Sequence, residues 1–267
     1  IKVAYSRQGI ALSQRKYTLD ILGDTSLMGA KPVDTPMDPN VKLDNEKRDL
    51  MHEPAKYRRL VGKLNYLTMT TLDISFAVGV VSQFMNAPRT PHWDVVLWIV
   101  KYLKYAPDHV IDGDKKGVLQ MVGYSDADWA GCPMDRGYIF GYCVFVGGNL
   151  VSRSSAEAEY HAMAHVVSEL TWVMMLLVEI GVTASQTASL HCDNQFAIHI
   201  TANPVFHERT KQIKDDYHFI REKVKCGEIV LHHTGSEDQI ADLFIKSPRG
   251  NRVTYLCNKL RLYDIYA

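Results

Sequence analysis

The sequence lacks most features that would assign it to a specialised class of protein. Its 267 residues include five cysteines and no Cys-x-x-Cys pair, so neither a zinc ribbon nor a disulfide framework is indicated. Lysine plus arginine and aspartate plus glutamate each number 30, so the overall charge does not attract nucleic acid. The apolar run Val95–Val100 is short and is bounded by Asp94 and Lys101, and we therefore expect no membrane span.

The rest of the composition is that of a folded, globular protein. The chain is 46% hydrophobic and 22% charged, and its length favours two domains of ordinary size. The odd number of scattered cysteines favours an intracellular, reducing setting. The chain begins at Ile1, without Met, in a pattern typical of a strand, which indicates a fragment of a longer protein.

The spacing of apolar residues divides the chain near residues 106–118. Before this division, alternation in residues 1–12 predicts one strand of a hairpin, and the prolines of residues 31–50 predict an extended surface link. Three helical patterns follow and predict a small, mainly helical region. These patterns are Glu53–Met69, Asp73–Met85 and Pro91–Tyr105.

From residue 119 the pattern becomes one of strands followed by alternating helices and strands. Strands are predicted at Leu119–Ser125, Ile139–Val146, Leu150–Arg153, Ala188–Cys192 and Glu228–Thr234. Helices are predicted at about 155–180, 195–201, 210–226 and 237–246. This order predicts an α/β fold with one mixed five-stranded sheet and flanking helices. We place the domains at 1–118 and 119–247, with a C-terminal tail at 248–267.

Four carboxylates lie where they could bind metal ions. Asp126 is at a strand end, Asp193 directly follows a strand, and Glu159 heads the apolar stripe of the long helix. Asp242 is expected in the middle of a helix whose N-cap is Ser236. Each has an ordinary alternative. Asp126 could be a solvated strand end, Asp193 a helix cap, and Asp242 plain helix surface. Glu159 could be a buried carboxylate with a purely structural role. Two magnesium ions about 4 Å apart require several carboxylates that converge from different elements. The ends of two strands and two helices can supply them.

Two other groups of side chains suggest binding. His161 and His165 lie four residues apart on one helical face, a spacing that can bind zinc, although a solvated helix face explains it as well. Arg209, Lys211 and Lys214 begin a charged helix with interleaved aromatic residues that could bind a phosphate backbone, although charged amphipathic helices are common.

Four motifs together resemble the RNase H domain of copia-type retrotransposon polyproteins. They are Tyr124–Gly131 (YSDADWAG), Ser154–Tyr160 (SSAEAEY), Cys192–Gln195 (CDNQ) and Glu237–Asp242 (EDQIAD). Upstream, Tyr57–Leu67 and Asp73–Trp93 resemble the region that joins the reverse transcriptase to RNase H, so that nearly the whole chain is covered. The Tyr-Val-Asp-Asp motif of the polymerase is absent.

This resemblance implies an RNase H-like fold and metal-dependent hydrolysis of the RNA strand of RNA–DNA hybrids during reverse transcription. Asp126 would bridge two Mg²⁺ or Mn²⁺ ions, Glu159 and Asp193 would each complete one coordination shell, and Asp242 would hold the ion nearer the attacking water. Asn194 and the basic residues near 209–214 would contact nucleic acid. The implied partner is an upstream reverse transcriptase in the same polyprotein. The implied location is a cytoplasmic virus-like particle or the nucleus.

The sequence departs from the family pattern between Leu150 and Ser154. The stretch before the Ser-Ser pair is shorter than in the family by roughly ten residues, more than the length of one typical strand. We therefore expect the return strand of the hairpin to be cut short, and the carboxylates to cluster while activity is weak or absent. The alternatives are a folded but inactive remnant that at most binds nucleic acid, or a fragment with no stable fold.

Overall fold

The computed structural model describes residues 1–5, 9–41, 43, 49–105, 109–114, 119–128, 139–157, 162–182, 185–195, 198 and 211–264. The strands are β1 (Lys2–Tyr5), β2 (Gly9–Ser13), β3 (His109–Asp114), β4 (Met121–Asp128), β5 (Ile139–Val146), β6 (Asn149–Glu157), β7 (Ala188–Cys192), β8 (Ile229–His233) and β9 (Leu262–Asp264). The helices are α1 (Arg15–Asp24), α2 (Pro54–Leu67), α3 (Ser75–Ser82), α4 (Thr90–Tyr105), α5 (Ala162–Glu179), α6 (Lys211–Lys225) and α7 (Gly250–Lys259). Two 3₁₀ turns lie at Leu72–Ile74 and Ile240–Phe244.

The first of two compact units comprises the described residues between 1 and 112 together with 246–264. The predicted helices are present as α2, α3 and α4. Residues 1–12 were expected to form one strand of a hairpin, but this stretch forms both β1 and β2, and the sheet that contains them with β3 and β9 was not predicted. The segment 31–50 is more than a surface link. Thr35 and Met37 are buried, and the Thr35 carbonyl accepts a hydrogen bond from the Trp98 indole at 2.9 Å.

A buried polar contact of this unit lies beside the C-terminal segment. The Tyr102 hydroxyl of α4 donates to the Asp73 carboxylate, and burial raises the Tyr102 pKa, which the Asp73 charge raises further. Burial also raises the pKa of the Cys257 thiol on α7, and Asp73 again adds to the effect. Residues 248–264, expected as a tail, therefore form a helix and a strand that pack within the first unit. The division into functional domains at 118 and 247 stays a prediction.

The second unit is built on the five-stranded sheet that the sequence predicts. The strand order is β6-β5-β4-β7-β8. The pairs β6-β5 and β5-β4 are antiparallel, whereas β4-β7 and β7-β8 are parallel. The predicted strands Ile139–Val146 and Ala188–Cys192 match β5 and β7 at both ends. The predicted mixed five-stranded sheet with flanking helices is thus confirmed.

Helix α5 packs across one face of this sheet through the stripe that the sequence predicts. Val166, Leu170 and Val173 are buried in one apolar cluster with sheet residues, and Met163 and Leu177 pack partly buried against it. By length and composition α5 is the one described helix that could span a membrane. Its buried stripe is what a core helix of a globular domain requires. The absence of a membrane span stays an expectation.

The boundary between β6 and α5 differs from the prediction. The helix was expected to begin at Ser155 after a shortened strand, but β6 continues to Glu157 and pairs with β5 along its whole length, with one irregularity between Val144 and Phe145. Helix α5 is described only from Ala162. The return strand therefore keeps its length although the link is short, because the first four residues of the motif at 154–160 lie in β6 instead of a helix. The expectation of a truncated return strand was wrong.

Gly123 in β4 gives α5 its close approach to the sheet. A Cβ at this position would lie 2.6 Å from Val166 Cγ1 and 3.1 Å from Leu170 Cδ1. Gly123→Ala should therefore lower the free energy of unfolding by about 1–3 kcal/mol through overpacking. The matched control is Gly235→Ala, whose added Cβ would meet nothing within 4 Å. Urea unfolding measures both variants, and equal stabilities would contradict the packing.

The described cysteines differ in accessibility. Cys226 is exposed, whereas Cys143, Cys192 and Cys257 are buried. A maleimide should therefore alkylate Cys226 in the folded chain about 100-fold faster than Cys257, because the reagent needs an accessible thiolate. Peptide mass spectrometry after timed labelling measures the rates. Equal labelling of Cys257 and Cys226 without denaturant would contradict the packing of α7.

Candidate active site

Asp126 lies at the end of the central strand, where three elements of the second unit meet. It occupies β4 opposite Gly141 of β5, and its side chain is only 3% exposed. Its Oδ1 accepts a hydrogen bond from the Ala127 N–H at 2.9 Å. A carboxylate at this depth is stable in its charged form only if hydrogen-bond donors or a cation compensate for the lost water. The solvated strand end considered as an alternative does not apply.

Asp193 emerges beside Asp126 because β4 and β7 are parallel. The last paired residues of the two strands are Ser125 and Cys192, so the next residue along each chain is an aspartate. Neighbouring strands lie about 4.8 Å apart, which brings the two backbones side by side at one edge of the sheet. The Asp193 carbonyl lies 3.2 Å from His233 Nε2, a contact that links it to the end of β8.

Asp242 reaches the same edge on the 3₁₀ turn Ile240–Phe244 and is 9% exposed. The sequence predicted an α-helix capped by Ser236, and this was wrong. The cap is Gln239, whose Oε1 accepts from the Ala241 N–H while its Nε2 donates to the Ser125 carbonyl at 2.9 Å. Gln239 therefore joins the turn that carries Asp242 directly to the strand that carries Asp126.

Gly141 lets this turn approach the sheet beside Asp126. A Cβ on Gly141 would lie 2.7 Å from Ile245 Cγ2, 3.1 Å from Phe244 Cβ and 3.3 Å from the Ala241 carbonyl. Since Gly141 is the cross-strand partner of Asp126, the absence of a side chain there allows the turn to lie over this strand pair. Sequence reasoning missed the roles of Gly141 and Gln239. A glycine at an inward position of a predicted strand was the available signal.

The fourth carboxylate, Glu159, lies outside the described residues, as does His161. The prediction that Glu159 faces the other carboxylates therefore stays a prediction. Within the described part of the chain, no group of three or more His, Cys, Asp or Glu side chains lies close enough to hold a metal ion. The edge of the sheet thus brings together the backbone positions of Asp126, Asp193 and Asp242 without a complete coordination shell among described side chains.

The predicted nucleic-acid-binding residues are described in part. Lys211 and Lys214 lie in the first turn and a half of α6, and Arg209 lies outside the described residues. Asn194 is exposed directly after Asp193, and its N–H donates to Cys192 Sγ at 3.4 Å. The role of these four residues stays a prediction.

A column of stacked rings crosses the sheet on the face that carries Asp126. The Tyr124 and His191 rings stack at 4.8 Å, and the His191 and His232 rings at 5.0 Å. Burial lowers the His191 pKa, His232 lowers it further, and His191 Nδ1 lies 2.8 Å from Thr234 Oγ1. These contacts hold β4, β7 and β8 in register and thereby set the position of Asp193. In the predicted strands, an aromatic or histidine residue at one same-face position of each strand was the signal for this column.

Comparison with known proteins places the chain in a family. No family model matches it. It is 43% identical over 249 residues to the retrovirus-related Pol polyprotein from transposon RE2 of Arabidopsis thaliana, covering 90% of this chain and 17% of the relative. It is 42% identical over 248 residues to that of transposon RE1 of the same plant, covering 89% and 17%. The chain belongs to the retrovirus-related Pol polyproteins of transposons.

This Pol-family chain spans about a sixth of the length of the two relatives. Among solved structures, it is similar to LC11-RNase H1 in complex with RNA/DNA hybrid, with a TM-score of 0.35 and 16% identity, covering 47% of this chain and 94% of that one. Because this score is low, the fold class rests on the strand order and helix positions of the chain itself.

Substitution of Gly141 tests whether the 3₁₀ turn positions Asp242. Gly141→Ala should weaken Mn²⁺ binding by about tenfold, because the added Cβ displaces the turn and loss of a ligand's support typically lowers metal affinity 10–100-fold. Calorimetric titration with Mn²⁺ measures the change. Gly62→Ala is the control, since its added Cβ would meet nothing within 4 Å and lies in the first unit, so that it should leave the Mn²⁺ affinity unchanged. Equal affinities of the wild-type chain and Gly141→Ala would contradict the positioning.

Proposed function

We propose that the second unit is a metal-dependent ribonuclease H that hydrolyses the RNA strand of RNA–DNA hybrids. The observation that supports this best is the convergence of three aspartates from separate elements at one edge of the sheet. Asp126 ends the central strand, Asp193 follows its parallel neighbour, and Asp242 lies on the turn that packs on Gly141. Membership of the Pol family supports the same reaction.

The donor atoms at this edge fit Mg²⁺ or Mn²⁺. Carboxylate oxygens are the ligands that these hard cations prefer. Burial raises the pKa of the Cys192 thiol, and the charges of Asp193 and Asp126 raise it further. The buried Asp126 carboxylate would in turn be stabilised by a bound cation.

Two divalent ions here would activate a water molecule and stabilise the charge on the leaving oxygen of the phosphodiester. The chain itself holds and orients the ligands. The β4-β7 register positions Asp126 and Asp193, and Gln239 with Gly141 positions Asp242. Glu159 is proposed as the fourth ligand.

The substrate would be bound outside the metal-binding edge. Arg209, Lys211, Lys214 and Asn194 are proposed to contact phosphates, while the 2′-hydroxyl and the shape of the hybrid identify the RNA strand. We also propose that an upstream reverse transcriptase domain of the same polyprotein supplies the hybrid, in a cytoplasmic virus-like particle or in the nucleus.

A second candidate is a weakly active or inactive remnant that binds hybrid. The course of β6 favours it, because residues 154–157 of the SSAEAEY motif are paired in a strand. In the first candidate these residues would begin the helix that positions Glu159. An error of about 1 Å in a catalytic group lowers a rate about 100-fold. We therefore expect slow cleavage.

Cleavage of an end-labelled RNA–DNA hybrid tests both candidates. With Mg²⁺ the wild-type chain should cleave the RNA strand slowly, and Asp126→Asn should lower the rate by about 100-fold or more because a shared metal ligand is lost. Glu222→Gln, at an exposed position of α6, is the control and should retain the wild-type rate. Hybrid binding is measured in parallel by fluorescence anisotropy.

The outcomes separate the candidates. Cleavage that requires Mg²⁺ and Asp126 supports the enzyme. Binding without cleavage supports the remnant. Cleavage that persists in Asp126→Asn or in excess chelator contradicts the metal-binding role of Asp126, and the absence of both binding and cleavage contradicts both candidates.

A further inference from the structure

The second unit is inserted into the first unit along the chain instead of following it. Of the described residues, those up to Asp112 belong to the first unit, those from there to Ile245 form the second, and residues 246–264 belong to the first again. Strands β3 and β9, one on each side of the insertion, are antiparallel neighbours, with Ile111 opposite Leu262. We call residues 246–264 the strap. The first unit is therefore completed by residues that come after the second unit in the chain.

The strap is buried on one side along most of its length. Five of its side chains are 5% exposed or less, namely Val253, Leu256, Cys257, Leu260 and Leu262. The first four are three and four residues apart and lie on one side of α7, whereas Asn251, Thr254 and Asn258 are exposed on the other. A helix of ten residues is too short to be stable alone in water. The strap therefore needs the surface against which it packs.

The start of the strap contacts the segment that contains Asp34 and Met37. The Ser247 hydroxyl donates a hydrogen bond to the buried Met37 carbonyl at 2.8 Å. A Cβ built on Gly250 would lie 2.7 Å from Asp34 Oδ2 and 3.3 Å from the Asp34 carbonyl, so the absence of a side chain allows this close approach. The Asp34 carboxylate thus lies beside the N-terminus of α7, where the helix dipole favours a negative charge.

The middle and the end of the strap contact two other parts of the first unit. The Cys257 thiol lies beside the buried Asp73–Tyr102 contact, since burial raises its pKa and the Asp73 charge raises it further. Strand β9 pairs with β3 over three residues. Docking of an amphipathic helix and addition of a strand to a sheet are two modes in which proteins bind separate peptides. The strap uses both modes.

We propose that the first unit binds the strap as it would bind a separate peptide, so that a chain cut between the two units stays together as one particle. The docked strap then retains the second unit through its C-terminal connection after the N-terminal connection is broken. A protease that cut a Pol polyprotein at this junction would leave the second unit attached to the first. This proposal does not depend on catalysis by the second unit.

Two protease cuts in the full-length chain test the proposal. Recognition sequences for two different site-specific proteases are inserted, the first after Lys116, between β3 and β4, and the second after Lys246, before α7. Cutting the first site alone should leave the two fragments eluting together in size-exclusion chromatography. Cutting both sites should release the second unit, while the peptide that begins at Ser247 stays with the first unit. Thermal melts before cutting show whether the insertions leave the fold intact.

A cavity in the strap tests the same interaction without the second insertion. In the chain cut only at the first site, Leu256→Ala should raise the dissociation constant of the two fragments at least about 30-fold, because Leu256 is fully buried. Thr254→Ala, at an exposed position of the same helix, is the matched control and should leave the dissociation constant unchanged. Sedimentation velocity over a dilution series measures both. If Leu256→Ala fails to fold, the two cuts decide, and if the second insertion disturbs the fold, this comparison decides.

Three results would overturn the proposal. The first is separation of the two fragments at micromolar concentration after the first cut alone. The second is a particle that stays whole after both cuts, because the second unit would then be retained by something other than the strap. The third is an equal dissociation constant for Leu256→Ala and Thr254→Ala.

Discussion

The central strand β4 is constrained from both faces, and the rest of the second unit depends on this. On one face, the Val166 and Leu170 side chains of α5 lie so close to Gly123 that a Cβ at this position would clash with them. On the other face Gly141, in the neighbouring strand, admits the 3₁₀ turn that carries Asp242. Two glycines thus set the depth of two elements against the strand that carries Asp126. Packing, not charge, brings the aspartates to one edge.

Polar contacts then fix what packing leaves free. The Gln239 amide bonds the Ser125 carbonyl and caps the turn, so that Asp242 cannot shift along the strand without breaking a buried hydrogen bond. The Tyr124–His191–His232 column aligns the parallel strands that end at Asp193. Contacts within the chain therefore hold this edge of the sheet together. In the proposed reaction this limits the reorganisation needed to form the site.

Much of this arrangement could be predicted from the sequence because its apolar periods are strong. Alternation located β5 and β7 to the residue, and the 3.6-residue period identified the buried stripe of α5 from Met163 to Leu177. The start of α5 was misplaced because the helical spacing was extended back to Ser155, whereas pairing with β5 draws residues 155–157 into β6. The cap of the Asp242 turn was misplaced for a similar reason, since the tertiary bond from Gln239 to Ser125 cannot be read from local spacing. The sheet formed with β9 joins residues far apart in the chain, and no short-range pattern indicates it.

The most direct test of this account is a crystal structure of the chain soaked in Mn²⁺, with anomalous scattering used to locate the ions. We predict an anomalous peak within coordination distance of the Asp126 and Asp193 carboxylates, with Asp242 as a further ligand. A fully occupied Mn²⁺ site elsewhere, together with no peak at this edge of the sheet, would contradict the account.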